Sequence, residues 1–192
     1  HGNDANVTVT GSITATATSE KDTASATGIN AYTYDYVDED ETDARTDYSQ
    51  TVVNATGDIT VNASGSADPA DQDDWDRLTY ATGIDAYTSE CGSTTVNEKG
   101  NITVNASSEN GGTHVTGAET SSYTKNGSAT VNVEGNIAVA GTSTKGFTEI
   151  TGARAYAGEG GTSSVTVNGN VDVASNSTYV PVKTEENQCP YG

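Results

Sequence analysis

The chain has 192 residues, with 27 acidic side chains against eight Lys and Arg and a formal charge of −19. That balance speaks against nucleic acid and anionic membrane as partners, because like charges repel. Hydrophobic residues make up 32%, mostly Val, Ile and Ala with one Phe, one Trp and no Met, which suits a slender stack of strands better than a thick globular core. No apolar run approaches the roughly 18 residues of a membrane-spanning helix.

Residues 1–6 are a polar lead-in. At Val7 a first unit begins, Val7-Thr-Val-Thr-Gly11-Ser-Ile13, with no helix, charged cap or amphipathic segment before it. A second unit, Thr27-Gly28-Ile29-Asn-Ala31-Tyr32, follows. An acidic insertion over residues 33–50 then carries Asp35, Asp38, Glu39, Asp40, Glu41, Asp43 and Asp47. The first unit returns as Val53-Asn-Ala-Thr-Gly57-Asp-Ile59-Thr-Val61. A second acidic insertion, residues 65–79, holds Asp68, Asp71, Asp73, Asp74 and Asp76.

From Gly83 the array is clean. Thr82-Gly83-Ile84-Asp-Ala86-Tyr87 alternates with Val96-Asn-Glu-Lys-Gly100-Asn-Ile102-Thr-Val104, then with a degenerate Thr116-Gly117-Ala118. Ala129 to Ala140, Thr151-Gly152-Ala153-Arg-Ala155-Tyr156 and Val165 to Val173 complete it. The glycines at 83, 100, 117, 135, 152 and 169 stand 17 or 18 residues apart. Residues 175–192 form a tail in which Pro181 marks a strand edge.

In Ala129 to Ala140, Val131, Val133, Gly135, Ile137 and Val139 share one parity and Asn132, Glu134, Asn136 and Ala138 the other. Alternation of period two predicts an extended strand with one buried face, whose inward glycine suits a corner, a bulge or a close backbone approach. The outward asparagines read as tolerant of substitution.

Short strands repeating at a fixed period predict an all-β fold, a parallel β-solenoid, in one elongated domain over residues 1–192 with repeats from 7 to 174. Coils of about 17 residues would give a rod about 40 Å long at ~4.8 Å per strand. Coils of 34–35 residues, with the two units as two faces, would be shorter. Turns such as Lys125-Asn-Gly127 leave an antiparallel meander or sandwich as the alternative.

Little in the chain suggests catalysis. A free amino terminus at His1 with His114 offers three nitrogens for copper, but two histidines and no Gly-x-Ser-x-Gly motif leave nothing to build a triad, and the scattered bases form no cluster. The expectation is a protein that is not an enzyme and requires no cofactor. The acidic insertions read either as solvated loops or as a calcium site with Asp38, Asp40, Asp43, Asp71, Asp73 and Asp76 as candidate ligands, although neither matches EF-hand spacing. Tyr32, Tyr87 and Tyr156 each stand four residues after a glycine, as an outward stack or a glycan-binding strip.

A chain beginning at His1 reads as the product of signal-peptide removal, with an extracellular or cell-surface location. On that reading the lone pair Cys91 and Cys189 is expected in disulfides, within one chain or between copies. Asn6, Asn54, Asn62, Asn101, Asn105, Asn126 and Asn176 stand in Asn-x-Ser/Thr triplets and are candidate glycosylation acceptors.

The alternation of Thr-Gly-Ile-x-Ala-Tyr with Val-x-Val-x-Gly-Asn-Ile-x-Val over residues 7–174 resembles the repeats of bacterial autotransporter passengers and related surface β-helix adhesins. The resemblance implies secretion, a right-handed β-helix and a surface or adhesive role. The residues themselves favour an extracellular filament or surface layer, because uncapped coils of successive copies can continue one stack. Its partners are then copies of itself. A monomeric adhesin that binds surface glycans through its side wall is the other reading.

Overall fold

The computed structural model describes residues 4–34, 49–66, 78–89, 92–123 and 126–178. These residues form fourteen strands, and no helix occurs among them. The first coil is β1 (Asp4–Thr10), β2 (Ile13–Thr18) and β3 (Ser25–Thr33). The second is β4 (Ser49–Thr56), β5 (Ile59–Gly65) and β6 (Leu78–Thr88). The third is β7 (Gly92–Lys99), β8 (Ile102–Ser108) and β9 (Gly112–Ser122). The fourth is β10 (Ser128–Val133), β11 (Ile137–Ser143) and β12 (Thr148–Ala157). Two strands of a fifth, β13 (Thr162–Val167) and β14 (Val171–Ser177), end the array.

Strands stack like on like into three walls: β1-β4-β7-β10-β13, β2-β5-β8-β11-β14 and β3-β6-β9-β12. Every ladder is parallel, so the fold is a parallel β-solenoid and the antiparallel meander is excluded. The coil is the longer of the two lengths expected. Equivalent residues lie 35 or 34 apart in the upper coils. The spacing grows to 43 and 46 where one insertion intervenes, and to 55 in the third wall, whose first two strands are separated by both. Five rungs at ~4.8 Å put the outermost strands about 19 Å apart, half the length that 17-residue coils would give.

The Val-x-Val-x-Gly-Asn-Ile-x-Val unit, expected as one strand, is two strands in different walls with a corner at Glu134-Gly135-Asn136. Parity survives the bend: Val131, Val133, Ile137 and Val139 are all buried, while Asn132 and Ala138 are half-buried and Glu134 and Asn136 exposed. The corner demands glycine because successive corners sit directly on one another. A Cβ at Gly57 would lie 2.6 Å from the Gly11 carbonyl oxygen, and one at Gly135 would overlap the carbonyl oxygen of Gly100.

The Thr-Gly-Ile-x-Ala-Tyr unit is the third wall. Its pairing skips the glycines at 28, 83, 117 and 152, and there the alternation shifts by one residue: Ala26 and Ile29 both face inward. The room left by each missing side chain receives an aliphatic side chain of the second wall. A Cβ at Gly83 would stand 2.7 Å from Ile102 Cγ2, and one at Gly117 would stand 2.7 Å from Ile137 Cγ2.

The interior is therefore a set of columns one residue wide. Val53, Val96 and Val131 stack in the first wall; Ile59, Ile102 and Ile137 stack in the second. One apolar cluster runs the length of the array. Near the corner between the third and first walls, hydroxyls take over. Thr51 Oγ1 lies 3.1 Å from Thr33 Oγ1, Thr88 Oγ1 donates to it at 3.0 Å, and Thr94 Oγ1 donates to Thr88 at 3.0 Å. These buried threonines satisfy one another, which is what lets polar side chains occupy inward positions.

Candidate functional site

Three outer features and two ends present themselves. The outward asparagines form hydrogen-bonded ladders. Asn97 Nδ2 donates to Asn54 Oδ1 at 2.9 Å and Asn132 Nδ2 to Asn97 Oδ1 at 2.9 Å. At the corner of the first two walls, Asn101 accepts both the backbone N–H and the Nδ2–H of Asn136, and Asn136 accepts the backbone N–H of Asn170 at 2.9 Å. A shallow polar groove follows this corner, bounded by Asp58, Thr60, Asn101, Asn136, Asn170 and Asp172.

The same ladders bear on the glycosylation candidates. Asn101 Nδ2 donates to Asp58 Oδ1 at 3.0 Å and Asn105 Nδ2 to Asn62 Oδ1 at 3.0 Å, so the nitrogens that a glycan would occupy are engaged. Asn54 and Asn62 act as acceptors. Asn6 and Asn176 lie on the outermost strands β1 and β14, and Asn126 sits exposed in a turn at φ 62°.

On the outer face of the third wall, Tyr32 and Tyr87 align directly, and Tyr156 falls on the same row opposite Ser121. The gap at Ser121 is filled by Tyr123, a residue outside the repeat as read from the sequence. Its ring centroid lies 5.4 Å from that of Tyr87 and 5.1 Å from that of Tyr156, at tilted angles. A second row holds Tyr80, His114 and Glu149. The Tyr80 and His114 centroids are 5.5 Å apart, His114 Nδ1 pairs with Glu149 at 3.3 Å, and its Nε2 lies 3.3 Å from Thr116 Oγ1. Between the rows, burial and the charge of Glu119 raise the Asp85 carboxyl above its usual range, while Arg154 pairs with Glu119 at 3.6 Å.

The candidate calcium ligands Asp38, Asp40, Asp43, Asp71, Asp73 and Asp76 lie outside the described residues, as do His1, Cys91 and Cys189. In sequence the first insertion falls between β3 and β4 and the second between β5 and β6, whose described strands belong to different pairs of walls. No cluster of three or more potential metal ligands occurs among the described residues.

One acid points inward. Glu98 on β7 occupies the column between Ala55 and Val133 and is 1% exposed. Neither of its carboxylate oxygens has a hydrogen-bond partner among the described residues. Burial first, and the charge of Asp58 second, push its carboxyl up to about 7. An uncompensated buried charge is costly, so the group holds its proton well above the usual carboxylate range.

The ends differ from the coils between them. Val165, Val171 and Val173 on the top coil are 46%, 46% and 56% exposed, whereas Val131, Ile137 and Val139 directly below them are at most 2% exposed. At the bottom, Val7, Val9, Ile13, Ala15 and Ala17 pack against the core from one side only. Among the described residues, no helix or polar cap covers either end. The ladder is open there too: each corner asparagine accepts a backbone N–H from the coil above, but Asn170 accepts none among the described residues. At the bottom, the Ser12 N–H stands at the matching position of the ladder with no acceptor below it among those residues. No family model, curated protein or solved structure matches this chain.

Proposed function

We propose that the protein is a structural subunit that assembles end to end into an extracellular filament or surface layer. The observation that carries this reading is the exposure of Val165, Val171 and Val173, at inward positions whose equivalents one coil below are buried. Open parallel edges combined with uncovered apolar side chains are the two features that soluble solenoids usually cap. The acidic character of the chain suits an exported subunit, because it discourages association through the side walls. Negative-stain electron microscopy of the purified protein tests the reading. Long fibres of uniform width are expected, and separate particles at every concentration would overturn it.

The row of half-buried Tyr87 and exposed Tyr123 and Tyr156 supports a second reading, a side wall that binds glycans through its aromatic faces. Titration of surface polysaccharides followed by tyrosine fluorescence, compared between native protein and Tyr123→Ala, distinguishes a binding strip from a shield over the wall. Saturable quenching lost in the variant would support binding.

A further inference from the structure

The two open ends are complementary in detail, and resting on the filament reading above, we infer the register of the joint between copies. β13 and β14 of one copy pair in parallel with β1 and β2 of the next, without a slip, so that the next copy's first coil takes the place of a sixth. Two features fix that register and a third is compatible with it.

The first is the inward columns. Val7 underlies Val53, Val96, Val131 and Val165 in turn, and Ile13 underlies Ile59, Ile102, Ile137 and Val171. Setting Val7 of a second copy on Val165, and Ile13 on Val171, repeats the side-chain stacking of every internal step. It covers Val165 with Val7 and Val171 with Ile13, while Val173 meets the smaller Ala15 at the foot of its own column, so all three are covered by aliphatic residues.

The second is the corner ladder. Asn136 donates its backbone N–H to Asn101 Oδ1 at 3.0 Å and Asn170 donates its own to Asn136 Oδ1 at 2.9 Å. Asn170 Oδ1 is the next acceptor, and the Ser12 N–H of a second copy is the next donor in the same column. A slip by one residue along the strand would instead bring Gly11 or Ile13 to that position and turn the inward residues of β1 outward.

The third is the glycine corner. Gly57, Gly100, Gly135 and Gly169 each crowd against the carbonyl of the glycine one coil below, whereas a Cβ at Gly11 meets nothing within 4 Å. In the inferred joint Gly11 settles on the Gly169 carbonyl as each corner glycine settles on the one below it; its φ of 112° already favours glycine, so the corner is compatible with this register without being required by it. The joint rests on the first two walls. In the third, β12 is the last described strand, so across the joint β12 and the next copy's β3 stand two rungs apart.

The test is a disulfide placed by register. Thr8 and Thr166 end the outward column that runs through Asn54, Asn97 and Asn132. In the inferred joint their Cα atoms lie about 4.8 Å apart, inside the ~4.4–6.8 Å range a disulfide spans. The double variant Thr8→Cys/Thr166→Cys is compared with Thr8→Cys/Ser164→Cys, whose sites are displaced by two residues along the strand to about 8 Å, too far to bridge. Both are oxidised under assembling conditions and digested, and the bridges are identified by peptide mass spectrometry, which separates them from any made by Cys91 or Cys189. A bridge between copies joining positions 8 and 166, at least tenfold above that joining 8 and 164, is the expected result. Fibres that form normally with 8 joined to 164, or with neither bridge, would overturn the register while leaving the filament standing. A wild-type protein that stays as single particles would remove both.

Discussion

Asn101 receives two hydrogen bonds through one atom from Asn136, the residue stacked above it: the backbone N–H at 3.0 Å and the side-chain Nδ2–H at 3.1 Å both end on Asn101 Oδ1. Asn101 in turn gives its own backbone N–H and Nδ2–H to Asp58 Oδ1, at 2.9 and 3.0 Å. The corner of the solenoid is thus tied coil to coil by side chains standing in for backbone carbonyls. Asn101→Ala is expected to cost about 1–2 kcal/mol, the usual range for losing hydrogen bonds whose partners can still reach water. For a chain of this size that lowers Tm by about 2–8 °C, at about 2–4 °C per kcal/mol. Asn136→Asp, which reads as neutral from its outward parity alone, should also destabilise, because it removes the donor to Asn101 and sets a carboxylate against that oxygen. Unchanged melting of both variants would contradict the ladder.

The inward parity predicts a contrasting pair. Val133→Asp or Ile137→Asp places a charge where the native side chain is at most 1% exposed, with an expected cost of several kcal/mol. Thr142→Asp, on the exposed face of β11, should change Tm by no more than about 2 °C. Equal losses from the two kinds of substitution in thermal melts would break the assignment of faces.

Glu98 makes stability depend on pH in an unusual direction. Its folded carboxyl is raised to about 7, above the value of ~4.3 for a free glutamate. Its contribution is therefore fully present below about pH 4 and is lost as pH rises through 7, because the folded protein must then give up a proton that burial makes it hold. The loss approaches ~4 kcal/mol, since each tenfold difference in proton affinity between the folded and unfolded chain is worth about 1.4 kcal/mol. Glu98→Gln should match the native protein at or below about pH 4 and melt higher than it at pH 8.5. The other acids also titrate, but they cancel in this comparison. A difference between the two proteins that does not grow with pH would contradict a buried, unpartnered Glu98.

Copies bearing a charge of −19 repel one another as they approach, and salt screens that repulsion over a Debye length of ~30 Å at 0.01 M but only ~8 Å at 0.15 M. Light scattering should show assembly at lower protein concentration as sodium chloride rises across that range. Assembly that weakens with salt would show that charge complementarity, not apolar stacking, holds the joint. If the acidic insertions bind calcium, millimolar calcium should promote assembly or raise Tm beyond the effect of equal ionic strength, and a chelator should reverse it.

Much of this fold is legible in the sequence, for a definite reason. The interior is one residue wide, so parity alone assigns faces, and Val131, Val133, Ile137 and Val139 fall where parity puts them. Parity does not reveal the corner at Gly135, because Val133 and Ile137 are an even number of residues apart and the bend leaves the alternation intact. The coil length is ambiguous in the sequence because each turn carries two glycines nearly half a turn apart, one at a corner and one inside the third wall. What selects 34–35 residues is contact between like side chains, such as Asn on Asn, which spacing alone does not show. Tyr123 is hidden because it completes the tyrosine row from two residues beyond the repeat position. Glu98 stands at an inward parity, but within the run Val96-Asn-Glu-Lys-Gly100 it reads as one more surface charge.

That copies continue one another's stack is tested most directly by the axial repeat of the assembled protein. The first two walls carry five rungs per copy, so in-register stacking predicts a rise of about 24 Å per subunit beneath a ~4.8 Å strand repeat running along the fibre axis. Helical reconstruction from cryo-electron micrographs or fibre diffraction reads both spacings. A subunit rise near 24 Å with strands perpendicular to the axis is the predicted result, taking five rungs at the usual strand spacing. Strands lying along the fibre, a rise unrelated to five rungs, or protein that remains as separate particles would contradict it.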